Sequence, residues 1–414
     1  MKNIFVILSN TYPDSIFIEN ELKNFDDIEN LFVFQNKMGE FKEIEKYNLL
    51  GIKNVKYFIS EYDLESKNKL KKFFYRFLQI FQKDFWKELI NNRKNLFNGH
   101  FANNFLILTS YLYNAKKHAK KIYEQLLSMG ISREDRLVFY AFRMHLHLGS
   151  LYYLKEYFPN SKFISRGHGY DLFQYRWDYK YIPMQARCLK EMDLVLAISD
   201  HGKKYIIEEY KLDKEKVFLN YLGKEDHGLG KYEKSSSLRL VSCSRMDPIK
   251  RLDRIISTLS LSKLSIEWTH IGGGKGLNDL TSKAMKLPDN VKTNFLGMKT
   301  NEEVLSLYKN MPFDLFINVS EEEGLPVSIM EASSFGIPSV ATDVGGSSEI
   351  VNEKTGFLIE KDFSDLKLLQ IIESYYNLED RKKMNYRNQA RETFIKKFNS
   401  KENSKILSNK INEL

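Results

Sequence analysis

The chain has 414 residues, 43% of them hydrophobic and 28% charged, a composition that excludes disordered and collagen-like classes and, at roughly 100–200 residues per domain, leaves room for two to four domains. Lys and Arg total 63 against 54 Asp and Glu, a net charge of +9 that permits an anionic partner without naming one. Cys188 and Cys243 are the only cysteines, too few for a disulfide framework, which points to a reducing compartment.

Met1-Lys2-Asn3 leads into the short apolar run Ile4–Leu8, followed by polar residues and Pro13. That run is too short for the apolar core of a signal peptide, and no stretch of about 18 apolar residues is available to span a membrane. A cytoplasmic protein, soluble or on a membrane surface, is expected. Asn3–Leu8 reads as a strand and Glu19–Phe25 as a helix, with further strands at Leu31–Phe34, Val55–Ile59, Leu137–Tyr140, Phe163–Ser165 and Leu194–Ser199.

Between the third and fourth of these strands lies a basic, aromatic stretch, Lys67–Lys94. It holds nine Lys and Arg against Asp84 and Glu88, and Phe74, Phe77, Phe81 and Phe85 fall at helical spacing beside the bases. Such a stripe either lies in the headgroup layer of an anionic membrane or is a core face with solvated lysines. No nucleic-acid recognition motif accompanies the charge, so no nucleic-acid partner is expected. His145 and His147, two residues apart, do not share a helix face and make no metal pair.

Gly228–Ser237 combines Gly, charge and a Ser run, and is the best linker. Beyond it, Leu238–Ser244, Ile266–Ile271, Thr293–Leu296, Leu315–Val319 and Ser339–Thr342 alternate with helical segments, which predicts a parallel sheet covered on both faces. Thr300-Asn-Glu-Glu303 is a capping box opening one of the helices. The outcome is two α/β domains of similar size with a hinge near residue 230.

In an open parallel sheet, ligands bind beyond the carboxyl ends of strands, where helix N-termini offer free N–H groups. Four segments there carry suitable residues. Ser242–Arg251 leaves the first strand of the second domain with Arg245 and Lys250. Cations at a helix start oppose its dipole, which favours an anion such as a diphosphate between them over solvated charge. Glu323-Gly324-Leu325-Pro326 precedes a helix containing Glu331. The two glutamates are at most roughly 12 Å apart along a helix, beyond the about 5–9.5 Å of paired glycosidase carboxylates, so they suit different parts of one extended ligand. Glu331 interrupts an otherwise apolar helix. Gly345-Gly346 serves equally as a phosphate loop or as a tight strand-to-helix turn. Gly272-Gly273-Gly274 fails both G-x-G-x-x-G and the Walker pattern.

Together these segments resemble the retaining GT-B glycosyltransferases of family 4: Arg245…Lys250, Gly272-Gly273-Gly274, Phe295-Leu-Gly297, Glu323-x7-Glu331, Gly336-Ile-Pro338 and Gly345-Gly346-x-x-Glu349, strongly over about 240–352. In the N-terminal half, Arg166-Gly-His168-Gly-Tyr-Asp171 and Ala197-Ile-Ser199 are similar to the family's H-G-x-D and following strand end. Thr11-Tyr12-Pro13 with Phe17–Leu22 is similar to members that build exopolysaccharide and lipopolysaccharide, without the Gly-Gly loop found there in many relatives.

The resemblance implies two Rossmann-like doubly wound domains facing each other across a cleft, an acceptor-binding domain at 1–228 and a donor-binding domain at 238–383, with terminal helices at 384–414 crossing back. It implies that Arg245 and Lys250 hold the donor diphosphate, that Glu331 holds the ribose, and that Gly273 belongs to the donor pocket. Glu323 would hydrogen-bond the transferred sugar, helped by N–H groups around Gly324 and Leu325, and His168 would polarise a sugar hydroxyl. No D-x-D occurs, so no metal or other cofactor is expected and the two cations would neutralise the leaving group. The implied activity is transfer of a hexose or N-acetylhexosamine from a UDP- or GDP-linked donor to a lipid-linked saccharide. That places the chain in bacterial surface-polysaccharide assembly, peripheral on the inner face of the cell membrane. A nucleotide-sugar epimerase would need no acceptor, and a non-catalytic scaffold would bind nucleotide and lipid without turnover.

Overall fold

The computed structural model describes residues 4–9, 16–22, 24–25, 28–35, 54–59 and 69–414. Thr11, Tyr12, Pro13 and Lys67 lie outside the described residues, as do Met1–Asn3. The chain divides into two compact units, one running to Tyr221 and including Lys401–Leu414, the other comprising Leu222–Ser400.

The first unit holds strands β1 (Ile4–Ser9), β2 (Asn30–Gln35), β3 (Asn54–Ile59), β4 (Leu137–Ala141), β5 (Lys162–Gly167), β6 (Leu194–Ala197) and β7 (Val217–Leu219). They form one parallel sheet in the order β3-β2-β1-β4-β5-β6-β7. Val6, Leu8, Phe139 and Phe163 are fully buried in the core of this sheet, with Leu108, Leu112 and Ala115 of the helix Phe101–Ser128 and Leu151 and Leu154 of the helix Met144–Tyr157 in the same cluster. Covering helices leave little room for a solvent-facing alternation, hence the near-continuous apolar strands.

The second unit holds β8 (Leu238–Cys243), β9 (Ile266–Ile271), β10 (Val291–Phe295), β11 (Leu315–Asn318), β12 (Ser339–Thr342) and β13 (Gly356–Ile359), again all parallel, in the order β10-β9-β8-β11-β12-β13. Both sheets therefore have a doubly wound order that reverses between two adjacent strands, β1/β4 and β8/β11. The crevice at the carboxyl ends of such a strand pair is where this topology leaves backbone groups free for a ligand.

Three expectations about organisation differ from what the structure contains. Gly228–Ser237 is not a free linker: Gly230 N donates to Phe335 O at 3.0 Å, Lys231 N donates to Lys309 O at 3.0 Å, and the segment is part of the second unit. The unit boundary falls at Tyr221/Leu222 rather than near 230. The helix Asp380–Lys397 stays with the second unit because Arg387 and Phe394 are buried and Arg387 Nη1 donates to Phe313 O at 3.0 Å. Only Lys401–Leu414 returns to the first unit. There Asn220 Nδ2 donates to Asn403 O at 3.0 Å and Ser404 Oγ donates to Asn20 O at 3.2 Å.

Asn220 also belongs to a buried charge network. Its Oδ1 accepts from Arg166 Nη2 at 2.7 Å, while Arg166 pairs with Glu21 at 2.6 Å and donates from Nε to Tyr140 Oη at 2.7 Å. Burial pushes the Glu21 carboxyl up, opposed by the Arg166 charge and the Tyr140 hydroxyl.

Candidate functional site

The loop leaving β8 turns through the 3-10 segment Pro248–Lys250, with proline in the first turn, where its missing N–H costs nothing. Arg251 follows in the left-handed region, φ 48°, uncommon for a residue with a side chain. Its guanidinium holds that conformation by donating to Val319 O at 2.7 Å and Lys361 O at 2.8 Å, clamping this loop to the end of β11. Lys250 is thereby aimed at the loop after β11, where its Nζ lies 2.7 Å from Glu323 Oε1. Asn318 Nδ2 donates to the same oxygen at 3.2 Å. Arg245 stands apart: it is 77% exposed and pairs with Asp247 at 3.0 Å, an exposed pair of little energetic weight.

Glu323 and Gly324 are packed by backbone against the loop after β12. Gly346 N donates to Gly324 O at 2.7 Å. A Cβ on Gly345, whose φ is +57°, would lie 2.0 Å from Glu323 O. Gly345-Gly346 thus forms a tight turn that carries the Glu323 loop. Leu325 is buried and Pro326 caps the helix Val327–Ser334.

Glu331 projects from that helix into its own buried ion pair. Its Oε1 accepts from Lys224 Nζ at 2.7 Å and from Asn301 Nδ2 at 2.8 Å. The Cys243 thiol lies in the same pocket, where burial and then the Glu331 charge raise it to about 11. So the two glutamates keep separate partners, Lys250 with Asn318 for Glu323 and Lys224 with Asn301 for Glu331. Asn301 follows Thr300, whose capping box with Glu303 is formed, but nothing in sequence marked it, Asn318 or Lys224 as partners of these carboxylates.

The glycine run after β9 has a packing role. Gly272, at φ +141°, lets Ser244 O approach so closely that a Cβ would lie 1.9 Å from it, and Gly273 O accepts from Met246 N at 2.9 Å. Gly273 thus ties the loop after β9 to the loop carrying Arg245. Beneath it His270 is buried, its Nδ1 2.8 Å from Ser242 Oγ, and burial lowers its pKa to about 4.

In the first unit, His168 follows β5 and caps the short helix Gly169–Leu172. Its N–H donates to Asp171 Oδ1 at 2.7 Å, and Asp171 Oδ2 accepts from Met144 N at 2.9 Å. The aspartate of this motif therefore fixes backbone on two segments. The imidazole is 11% exposed, with Nδ1 3.5 Å from Asp171 Oδ2, and Nε2 makes no hydrogen bond among the described residues. Burial holds its pKa below the ordinary value, with Asp171 opposing, so the ring is neutral near pH 7.

The expected stripe Phe74-Phe77-Phe81-Phe85 is broken. The helix Lys69–Phe77 passes into a 3-10 turn, Leu78–Phe81, and Gln82 is extended, so the helix Lys83–Asn91 starts in a new phase. Phe85 is buried while Phe74, Phe77 and Phe81 are exposed. Among the described residues no three His, Cys, Asp or Glu side chains are grouped as metal ligands, and no helix is long and apolar enough to cross a membrane.

The segment carrying Lys250, Glu323 and Glu331 is the one that resembles known proteins in sequence. Residues 230–393 match the family Glycosyl transferases group 1. The O-antigen biosynthesis glycosyltransferase WbnH of Escherichia coli is 38% identical over 109 residues, 26% of this chain and 30% of that protein. The UDP-Gal:alpha-D-GlcNAc-diphosphoundecaprenol alpha-1,3-galactosyltransferase of Escherichia coli is 33% identical over 91 residues, 22% of this chain and 23% of that one. The chain thus aligns with less than a third of the length of these curated relatives. Among solved structures, Anabaena Alr3699/HepE in complex with UDP superposes with a TM-score of 0.66 at 16% identity, covering 100% of both chains. That likeness shows the fold: two parallel-sheet, Rossmann-like units of GT-B type.

Proposed function

We propose that the chain is a glycosyltransferase of surface-polysaccharide assembly. In this reading a hexose or N-acetylhexosamine passes, with retention, from a nucleotide-diphosphate sugar to a lipid-linked saccharide. The observation that carries it is the Lys250–Glu323 pair at the β8/β11 crevice, inside the segment matching glycosyl transferases group 1. Lys250, with Arg245 swinging from its exposed position, supplies positive charge for the leaving diphosphate without a metal ion. Glu323, released from Lys250 when the anion arrives, accepts hydrogen bonds from the transferred sugar, with Gly324 and Leu325 N–H groups beside it. Glu331, whose Oε1 takes both Lys224 and Asn301, offers Oε2 to the ribose. Gly273 shapes the donor pocket through its hold on Met246. His168, neutral and with Nε2 open, accepts from or donates to a sugar hydroxyl. The UDP held by HepE and the UDP-Gal and diphosphoundecaprenol in the name of the Escherichia coli galactosyltransferase favour a uridine donor and a lipid-diphosphate acceptor here.

The test is nucleotide release from UDP- and GDP-sugars, with and without a lipid-diphosphate saccharide, by wild type and Glu323→Gln. Release that depends on the acceptor and falls in the variant supports the reading. A folded protein that releases nucleotide from none of these donors would falsify it. Interconversion of free donors without acceptor would instead identify an epimerase.

A further inference from the structure

The helices Phe101–Ser128 and Met144–Tyr157 pack together, and the 3-10 turn Leu78–Phe81 packs against the first of them. Between these elements lies a cavity of about 420 Å³, lined by Gln79, Gln82, Lys116, Lys117, Lys120 and Tyr157 among others. The helix Met144–Tyr157 runs from the carboxyl end of β4 back to the amino end of β5, so the cavity at its last turns is at the opposite end of the sheet from His168. Three lysines face one acid in the lining, the exposed Glu156. Among the described residues neither Lys116 nor Lys117 is paired with a carboxylate. Neutral groups position them instead: Lys116 Nζ donates to Gln82 Oε1 at 2.6 Å and lies 5.0 Å from the Tyr153 ring centroid, and Lys117 Nζ lies 5.7 Å from that of Tyr113. Lys120 makes an exposed pair with Glu124 at 3.7 Å, which carries little energy. The rings are themselves held by stacking, Tyr157 on Tyr123 at 4.3 Å and Tyr113 on Tyr75 at 5.5 Å. Gln79 forms part of the floor. It is 7% exposed, and its Nε2 donates to Tyr75 O at 3.0 Å, while Oε1 has no hydrogen-bond partner among the described residues. A buried acceptor left without a donor is costly, and a ligand hydroxyl would satisfy it.

We propose that this cavity is a binding site for a phosphorylated saccharide. Lys116, Lys117 and Lys120 meet the phosphate, Gln79 Oε1 accepts from a sugar hydroxyl, and the tyrosine faces cover the apolar side of the ring. Unpaired lysines act as point charges that suit a phosphate, whereas a carboxylate is matched better by the planar fork of arginine, and no arginine lines the cavity among the described residues. Inorganic phosphate would use the lysines alone, and a neutral sugar only the rings and Gln79. The combination selects a ligand that carries both kinds of group. Every residue of this site belongs to the first unit, so the inference goes beyond the donor reading of the preceding section and does not depend on Lys250 or Glu323.

The test is isothermal titration of the full chain with glucose 6-phosphate, glucose and inorganic phosphate. Glucose 6-phosphate is expected to bind, and glucose and inorganic phosphate to bind about tenfold more weakly, each lacking one set of contacts. Lys116→Gln and Lys117→Gln should each weaken binding of glucose 6-phosphate about tenfold, the equivalent of one hydrogen bond to a charged group. Gln79→Leu should bring its affinity down toward that of inorganic phosphate while leaving inorganic phosphate itself unaffected. Lys250→Ala, altered in the second unit, should bind the sugar phosphate as wild type does. No binding of glucose 6-phosphate by the folded wild type overturns the proposal, as does an equal affinity for inorganic phosphate. So does affinity retained in a Lys116→Gln/Lys117→Gln variant whose melting curve matches wild type. Binding that Lys250→Ala abolishes also overturns it, because the sugar phosphate would then occupy the crevice of the second unit.

Discussion

Lys250 Nζ and Glu323 Oε1 are 2.7 Å apart, although 73 residues separate them in the chain. The group proposed to hold the diphosphate and the group proposed to hold the sugar thus neutralise one another. On that proposal, donor binding breaks this pair, which links the two events. Glu323→Gln keeps size and the Asn318 contact but removes the charge. Its turnover should fall about a hundredfold, with UDP affinity nearly unchanged. Lys250→Ala should weaken UDP binding and turnover together. Isothermal titration beside steady-state kinetics checks both, and unchanged UDP affinity in Lys250→Ala would remove that residue from the diphosphate site.

Lys224→Met strands Glu331 as a buried, unpaired carboxylate, and such a change costs about 3–5 kcal/mol. Chemical denaturation should read that loss in the second unit. Adding Glu331→Gln should recover much of it, because the double variant leaves no uncompensated charge. Equal losses in single and double variants would mean that Lys224 acts by packing alone.

Glycines at positive φ should differ sharply in their tolerance of alanine. Gly345→Ala drives a methyl into Glu323 O and should both lower the melting temperature and displace Glu323, reducing turnover. Gly297, at φ +69°, has nothing within 4 Å of the added carbon, so Gly297→Ala should cost only the backbone strain, about 1 kcal/mol. Paired melting curves and rates of the two variants make the comparison.

His270 introduces a pH dependence whose direction follows from its burial. Its native pKa, about 4, lies below the unfolded value of 6.5, so the unfolded chain binds the proton first as pH falls. Its contribution is complete above pH 6.5 and is lost progressively down to about 4, some ~3 kcal/mol across that window. The stability of wild type should therefore fall more steeply between these limits than that of His270→Gln. Parallel slopes in urea titrations would show that His270 does not titrate as its burial requires.

The sheet strands were legible because parallel strands covered on both faces must be apolar along their length, as in Phe139, Phe163 and Ile317. β7, three residues long, and β13 carry too little pattern to register. The Glu323 and Glu331 segments stood out by spacing, but Lys224 did not, since its pairing with Glu331 depends on a chain return of 107 residues. Phe85 leaves the ring stripe for a local reason: extended Gln82 resets the helical phase, which no count of residues across it anticipates.

The second unit is, in chain terms, an insertion between Tyr221 and Lys401. Asn220 and Asn20 receive their contacts from Asn403 and Ser404 only after those residues exist. During synthesis the second unit, continuous in sequence, is complete before the first, which leaves the ribosome earlier but waits for Lys401–Leu414 to supply the Asn403 carbonyl that accepts from Asn220. The order of emergence and the order of completion are thus opposite.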